Sequence, residues 1–187
     1  MESAVSLAEE GGFEGVRLRD VAAHADVALG TLYRRFRSKE DLLVAALDLE
    51  MQDLERRIRQ RPPKGDSELE RVTSFFSTAV RGLLRRPNLA RAMVKAMASG
   101  EPEVAQQVAA FHGRVESLVV GALRGKDPLG EEPAPPSEKE SRLATALDLL
   151  WLGLLVGWSG GVYDQSEVIE EMRSSAELLL QGARDMS

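Results

Sequence analysis

The sequence predicts an all-α protein with an N-terminal three-helix head and a longer helical body. Apolar residues recur every three or four positions between glycine and proline breaks, which is the spacing of one helix face. No stretch shows sustained strand alternation. The chain has 187 residues, 43% hydrophobic and 29% charged, so it can bury a core in one domain or in two small ones packed together.

The head shows three short helical patterns. Residues 1–10 form the first, and Gly11-Gly12 ends it. The second runs over about 18–24 and the third over about 28–36, with a three-residue break, 25–27, between them. Two short helices joined by so tight a turn predict a helix-turn-helix, whose second helix can lie in the major groove of DNA.

Basic residues concentrate on this motif. From Arg17 to Lys39, six basic residues stand against two acidic ones, a local net charge of +4, whereas the whole chain carries −6. A basic island on an acidic protein indicates a defined nucleic-acid-binding surface rather than general affinity for nucleic acid.

Four motifs of the head occur in a recognisable order. GFEG and LRDVA precede GTLYRRF, and SKEDLL follows it. Over about residues 11–47 they resemble the DNA-binding head of the TetR family of bacterial one-component repressors. The resemblance implies a variable helical body that binds a small molecule and dimerises. In the body, PNLARAM, DLLWLGLLVGW and ELLLQG are similar to the branch that represses cholesterol and sterol catabolism in actinobacteria.

The third helix and its flanks carry the predicted DNA contacts. Small residues let its backbone approach the groove closely, and Ala28 or Leu29 can touch thymine methyl groups. Arg17 replaces the Ser or Thr that is usual in the family; this loses a helix cap worth about 1 kcal/mol but adds a charged phosphate contact. We expect bases to face Ala28, Leu29 and Gly30, and phosphates to bind Arg17, Thr31, Tyr33, Arg35 and Lys39.

A long connecting helix is predicted to follow the motif. Ser38 caps it, and Asp41, three residues on, approximates a capping box. An apolar stripe continues to about residue 60, formed by Leu43, Leu47, Met51, Leu54 and Ile58. The predicted domains are a DNA-binding head, 1–47, and an effector-binding and dimerisation body, 48–187, with about nine helices in all. Residues 126–137 hold four prolines and predict a surface loop.

Residues 149–163 carry no charge. Fifteen residues are too few for a membrane span, which needs about 20, so we expect a buried helix. Gly153 and Gly157 lie one turn apart, and small residues at this spacing permit close helix approach. The last two helices of two chains are expected to form a four-helix homodimer interface, which matches a pseudo-palindromic operator.

An effector cavity in the body is also expected, because flexible methionines and flat aromatic rings suit apolar ligands. The same residues also belong in any helical core. His112 and Arg91 are candidates for orienting a polar ligand end, with surface placement as the alternative. The body resemblance implies a sterol, steroid or fatty-acyl thioester. The predicted lining residues are Phe75, Phe76, Met93, Met97, Phe111, Trp151 and Trp158.

The amino-acid composition argues against other classes of function. There is no cysteine, and His24 and His112 are the only histidines, in none of the spacings of hydrolases, phosphate loops or zinc proteases. We therefore expect no enzyme, cofactor or metal. A dimer that binds DNA constitutively without a ligand stays open as an alternative. The first ten residues do not resemble a signal peptide, which favours the cytoplasm. Family members usually have a basic lead-in before the position of Met1; either the start is internal or this arm is missing.

Overall fold

A computed structural model describes residues 1–125 and 134–185. Within these residues the chain is all-helical, with nine α-helices, one short 3₁₀ turn at Pro102–Val104 and no strand. The all-α prediction is confirmed. The helices are α1 (Glu2–Gly15), α2 (Leu18–His24), α3 (Leu29–Arg35), α4 (Lys39–Gln60), α5 (Glu68–Leu83), α6 (Pro87–Met97), α7 (Ala105–Arg124), α8 (Glu138–Ser159) and α9 (Gln165–Asp185).

The chain divides into two compact units. The first contains Met1–Met51 and Leu83–Ala110, and the second contains Gln52–Gly82 and Phe111–Ser187. α4 and α7 each begin in the first unit and end in the second. The predicted boundary after residue 47 lies close to one of these division points. The sequence did not indicate that α6 and the start of α7 group with the helix-turn-helix.

In the first unit, α1 packs against α6 and α2. Its buried residues, Ala4 and Ala8, are small enough to allow a close approach. The helix breaks at the predicted place, since Gly12 has a φ of 59°, a conformation that glycine adopts without strain. One further helical turn then extends to Gly15, beyond the predicted end.

In the second unit, α8 begins at a full capping box. The Glu140 backbone N–H donates to Ser137 Oγ, and the Ser137 backbone N–H donates to Glu140 Oε2. Arg124 at the end of α7 pairs with the same carboxylate, Nε to Oε1 at 2.6 Å, and lowers the pKa of Glu140 to about 2. Of the predicted proline-rich loop, residues 126–133 lie outside the described residues, and 134–137 are exposed.

The uncharged stretch 149–163 is not one helix. α8 ends at Ser159, and Gly160 and Gly161 form a turn before Tyr163. The close approach predicted for Gly157 does occur, but its partner is not another helix. A Cβ at Gly157 would stand 2.7 Å from the Tyr163 ring, so the glycine makes room for the side chain that follows the turn.

By length and composition, α8 could cross a membrane, because it spans 22 residues and many of them are apolar. The prediction of too short a span concerns only the fifteen uncharged residues 149–163, whereas α8 begins earlier, at Glu138. Core helices meet the same criterion, and α8 has the features of one. It buries Leu147, Trp151 and Leu154, it contains a buried Asp148, and its first turns carry charged residues.

Candidate nucleic-acid interface

The predicted helix-turn-helix is formed by α2 and α3. α2 closes with the Ala25 N–H donating to the Val21 carbonyl at 2.9 Å. Asp26 then adopts a φ of 51°, a left-handed conformation that aspartate tolerates better than most residues, and this reverses the chain within the turn. The Val27 N–H donates to the Ala22 carbonyl at 3.0 Å and fixes the turn against α2.

α3 presents its side chains outward and has no buried residue. Tyr33 is 53% exposed and Leu29 37%, and the other residues predicted to meet DNA on this helix are also exposed. Phe36, which follows α3, is 7% exposed and holds the end of the helix in the core, whereas Leu32 is only half-buried. A helix that is anchored at its end and exposed along its length can enter a groove without rearrangement.

The cationic side chains of α3 are ordered by their neighbours. Arg34 Nη2 donates to Thr31 Oγ1 at 3.0 Å, which leaves the threonine hydroxyl proton for a phosphate. The Arg35 guanidinium carbon lies 5.7 Å from the centre of the Phe36 ring. Arg17 is the exposed N-cap residue of α2 and makes no side-chain cap hydrogen bond, so the predicted loss of the cap is present.

Asp41 joins the loop after α3 to α7. Its carboxylate is buried, at 6% exposure, and its Oδ2 accepts from the Arg37 backbone N–H at 2.9 Å. Its Oδ1 accepts from Gln107 Nε2 at 2.8 Å, and its own N–H donates to Ser38 Oγ at 3.1 Å. The capping box therefore differs from the predicted one, because the carboxylate binds the residue before the cap.

Lys39 takes part in a second cluster, around Phe13 and Glu14. Its Nζ lies 3.9 Å from the centre of the Phe13 ring and 3.4 Å from Glu14 Oε2. Lys95 of α6 approaches the same two residues, at 4.4 Å and 2.8 Å. The hydrogen bonds from Lys95 and then Lys39 lower the pKa of the exposed Glu14 carboxyl. Of the predicted phosphate contacts, Lys39 is the one whose charge is shared with an acid.

Two family models match the chain. "Bacterial regulatory proteins, tetR family" covers residues 1–46, and "Tetracyclin repressor-like, C-terminal domain" covers residues 65–179. The second match alone spans more than half of the chain. The chain belongs to the TetR family.

Individual TetR-family proteins agree along nearly the whole length. The transcriptional repressor KstR of Rhodococcus jostii is 32% identical over 180 residues, which are 96% of this chain and 80% of that protein. A TetR regulator from Rhodococcus sp. RHA1 superposes with a TM-score of 0.79 at 28% identity, over 96% of this chain and 91% of the other. The Thermus thermophilus repressor FadR, crystallised with lauroyl-CoA, superposes with a TM-score of 0.69 at 23% identity, over 97% and 93%.

Family membership makes this protein a DNA-binding transcriptional regulator and not an enzyme. The predicted family and function class are thereby confirmed. The individual DNA contacts remain predictions, supported by the exposure of α3.

The predicted cavity residues of this TetR-family protein belong to both units. Met93 and Met97 lie on α6 in the first unit, and the five aromatic residues lie in the second. Among the rings, Phe76 lies 4.8 Å from Phe75 and 5.7 Å from Trp151, centre to centre. Met97 and Phe111 are half-buried and the other five are buried. The structure thus brings together a core cluster in the second unit, and the lining of a cavity remains a prediction.

Sequence reasoning missed several residues of the interface and its supports. Arg34 is one of the six basic residues of the motif, and its i, i+3 spacing to Thr31 is the signal that indicates the pair. Gln107 and Lys95 had no detectable signal, because each contacts the head from a helix more than fifty residues further along the chain. Contacts at that separation depend on the tertiary fold.

Proposed function

We propose that this protein is a homodimeric repressor that binds a pseudo-palindromic operator through α3 and is released by a small, largely apolar ligand. The observation that carries the proposal is that α3 buries none of its residues and presents cationic and small side chains beside an anchored Phe36. Its similarity to the repressor KstR supports repression rather than activation. A cytoplasmic location follows from this role.

The side chains of the motif have distinct roles in this proposal. Ala28, Leu29 and Gly30 face bases, since small and apolar groups suit thymine methyls and close backbone approach. The phosphate contacts come from Arg17, Thr31, Tyr33, Arg35 and Lys39. Lys39 is held 3.4 Å from Glu14, so a phosphate has to share its ammonium group with that carboxylate.

The proposed dimer uses the apolar surface of α8, α9 and the turn between them. Leu149, Val156, Val162 and Leu178 are 58%, 42%, 68% and 71% exposed in the single chain. Gly153 lies between the first two of these on α8, and among the described residues no neighbouring atom comes within 4 Å of a Cβ position there. A second copy buries these side chains, and an isologous pair of two-helix layers forms a four-helix bundle.

The proposed ligand enters the body. The FadR neighbour binds lauroyl-CoA, which makes an acyl thioester one candidate, and a sterol or steroid is the other. Release requires that the ligand prefer the arrangement that does not bind DNA. A coupling free energy of about 2–3 kcal/mol weakens operator binding about 30–150-fold.

The decisive experiment is fluorescence anisotropy on the DNA upstream of the gene itself, at about 150 mM salt because affinity depends steeply on salt. The panel contains steroids, long-chain acyl-CoA thioesters and free CoA as the matched control. Tight binding that one apolar compound reverses supports the proposal. Tight binding that no compound reverses favours the constitutive DNA-binding dimer. Binding no tighter than to random DNA, followed by a genomic selection that finds no site, contradicts the operator claim.

A further inference from the structure

The second unit contains a buried polar group that DNA binding does not use. Asp148 on α8 is 1% exposed, and its Oδ2 lies 2.5 Å from Nδ1 of His112 on α7. Trp151, one helical turn further along α8, is 3% exposed and packs on Phe76. Residues three apart on a helix are neighbours on one face, so the Asp148 carboxylate and the Trp151 indole project to the same side of α8.

Two polar atoms of this group lack hydrogen-bond partners among the described residues. They are Asp148 Oδ1, an acceptor, and Trp151 Nε1, a donor. The His112 imidazole satisfies only Oδ2 of the carboxylate. A buried polar atom without a partner is unfavourable, and native proteins retain such atoms rarely, so a pair of them on one face of one helix calls for an occupant.

Resting on the proposed function, we infer that the second unit binds an apolar alcohol, whose hydroxyl donates to Asp148 Oδ1 and accepts from Trp151 Nε1. A hydroxyl is the smallest ligand group that both donates and accepts a hydrogen bond. A ketone, ester or thioester carbonyl only accepts, and satisfies the indole but not the carboxylate. An ammonium only donates, and leaves the indole unpaired.

The site is closed in the free protein. Neither unpartnered atom has accessible surface, so the hydroxyl reaches them only after a covering side chain moves. His112 is the member of the group that reaches the surface, with 21% of its side chain exposed against 2% for Asp148. Entry is therefore from the side of His112. The apolar part of the ligand then lies against the aromatic cluster around Phe76.

The test compares an alcohol with its oxygen-free parent hydrocarbon on each of two carbon skeletons, a steroid and a long-chain alkane. Dissociation constants come from calorimetry on the full chain. Burying a hydroxyl without hydrogen-bond partners weakens binding. An alcohol that binds more tightly than its parent therefore indicates that the protein supplies such partners. Because one partner is a carboxylate, we expect one of the two alcohols to bind at least about ten-fold tighter than its parent.

Three variants test which side chains cause the preference for the alcohol over its parent. Trp151→Phe removes the indole donor and Asp148→Leu removes the carboxylate with little change of volume. Met172→Leu is the control, since it changes a buried apolar residue of α9 in the same unit and alters no hydrogen-bonding group. The first two should reduce the alcohol-to-parent ratio about five- to ten-fold, and the control should leave the ratio unchanged. If Asp148→Leu fails to fold, Trp151→Phe alone decides.

Each other result overturns the inference. Equal binding of alcohol and parent, or an equal loss of preference in Met172→Leu, shows that no specific hydroxyl site exists and that a water fills the gap. Operator release by an acyl-CoA while neither alcohol binds removes the alcohol site and keeps the proposed repressor. Binding of no panel compound removes the alcohol site and the proposed release by a ligand, and favours the constitutive DNA-binding dimer.

Discussion

α3 and α8 show two ways in which a helix can carry function. α3 has no buried residue, whereas α8 buries seven, and one of these is the charged Asp148. On α3 the side chains that are expected to bind a partner are exposed and hydrated before the partner arrives. On the core face of α8 the polar groups are already desolvated and depend on buried neighbours for their hydrogen bonds. Substitutions on α3 should therefore change binding with little effect on folding, while those in the core face of α8 should change both.

The largest effect is expected on α3 itself. Tyr33→Ala should weaken operator binding by at least about 30-fold, because it removes a half-exposed ring and hydroxyl at the centre of the proposed interface. The circular dichroism spectrum and melting temperature should be unchanged. Leu49→Ala, at an exposed apolar residue of α4, is the control. Tight operator binding by folded Tyr33→Ala would mean that another surface recognises DNA.

The exposed face of α8 and α9 provides the next comparison. Leu178→Asp should convert the dimer to a monomer and, with it, remove most operator affinity, since two half-sites need two heads. Sedimentation velocity at several protein concentrations measures this. Leu49→Asp introduces the same charge at an exposed leucine of the other unit and should remain dimeric. An unchanged dimer in Leu178→Asp excludes this face as the interface.

A smaller effect is expected for a phosphate contact. Arg35→Ala should weaken binding to operator and random DNA alike, by up to about ten-fold, and should make the slope of log K against log salt less negative by about 0.9. Anisotropy titrations from low to high salt measure both. A slope equal to that of the wild type removes Arg35 from the DNA contact.

A Gln107 variant distinguishes a residue that positions the DNA-binding loop from one that contacts the DNA. Gln107→Ala removes the donor to Asp41 Oδ1 and should lower operator affinity about three- to ten-fold, because the loop after α3 loses a charged hydrogen bond. The salt slope should stay at the wild-type value, since no phosphate contact is lost. Gln106→Ala, an exposed neighbour on α7, is the control. A changed slope would place Gln107 at the DNA instead.

The smallest effect concerns the buried pair on α7 and α8. The hydrogen bond to Asp148, opposed by burial and assisted by Glu116, raises the pKa of His112 above 6.5. Protonated His112 therefore stabilises the fold fully below about pH 6.5, and this contribution is lost as the pH rises through the raised pKa. Asp148→Asn should return the pKa, followed by NMR titration, to 6.5 or below. An unaltered His112 titration in that variant means that Asp148 is not its partner in solution.

Local sequence signals predicted most of the head. Helical spacing placed α2 and α3 to within a residue or two, because both are short, amphipathic and bounded by a turn of three residues. The exposure of α3 followed from its basic and small residues. The residues that support α3 could not be predicted, since Asp41 binds Gln107 across sixty-six positions and Phe13 is approached by lysines of two distant helices.

The body was predicted less completely. The glycines of α8 were expected at a helix crossing, but the partner of Gly157 is the Tyr163 ring, because helix periodicity alone cannot show where the chain turns. Four of the five aromatic residues predicted to line a cavity are buried, and Phe111 is half-buried, so the cavity remains a prediction beside the core alternative. Met93 and Met97 lie in the other unit, and this separation from the aromatic residues depends on how α6 packs.

The helical class, the helix-turn-helix and its charge can be predicted from the sequence alone, because each depends on residues within one or two helical turns of one another. Long-range packing determines that α6 supports the head and that Asp41 links the loop after α3 to α7. It also buries Asp148 against His112 and leaves one carboxylate oxygen without a partner among the described residues. Those outcomes depend on which helix faces which, and a side chain's partner and solvation are set by that packing rather than by its neighbours in sequence.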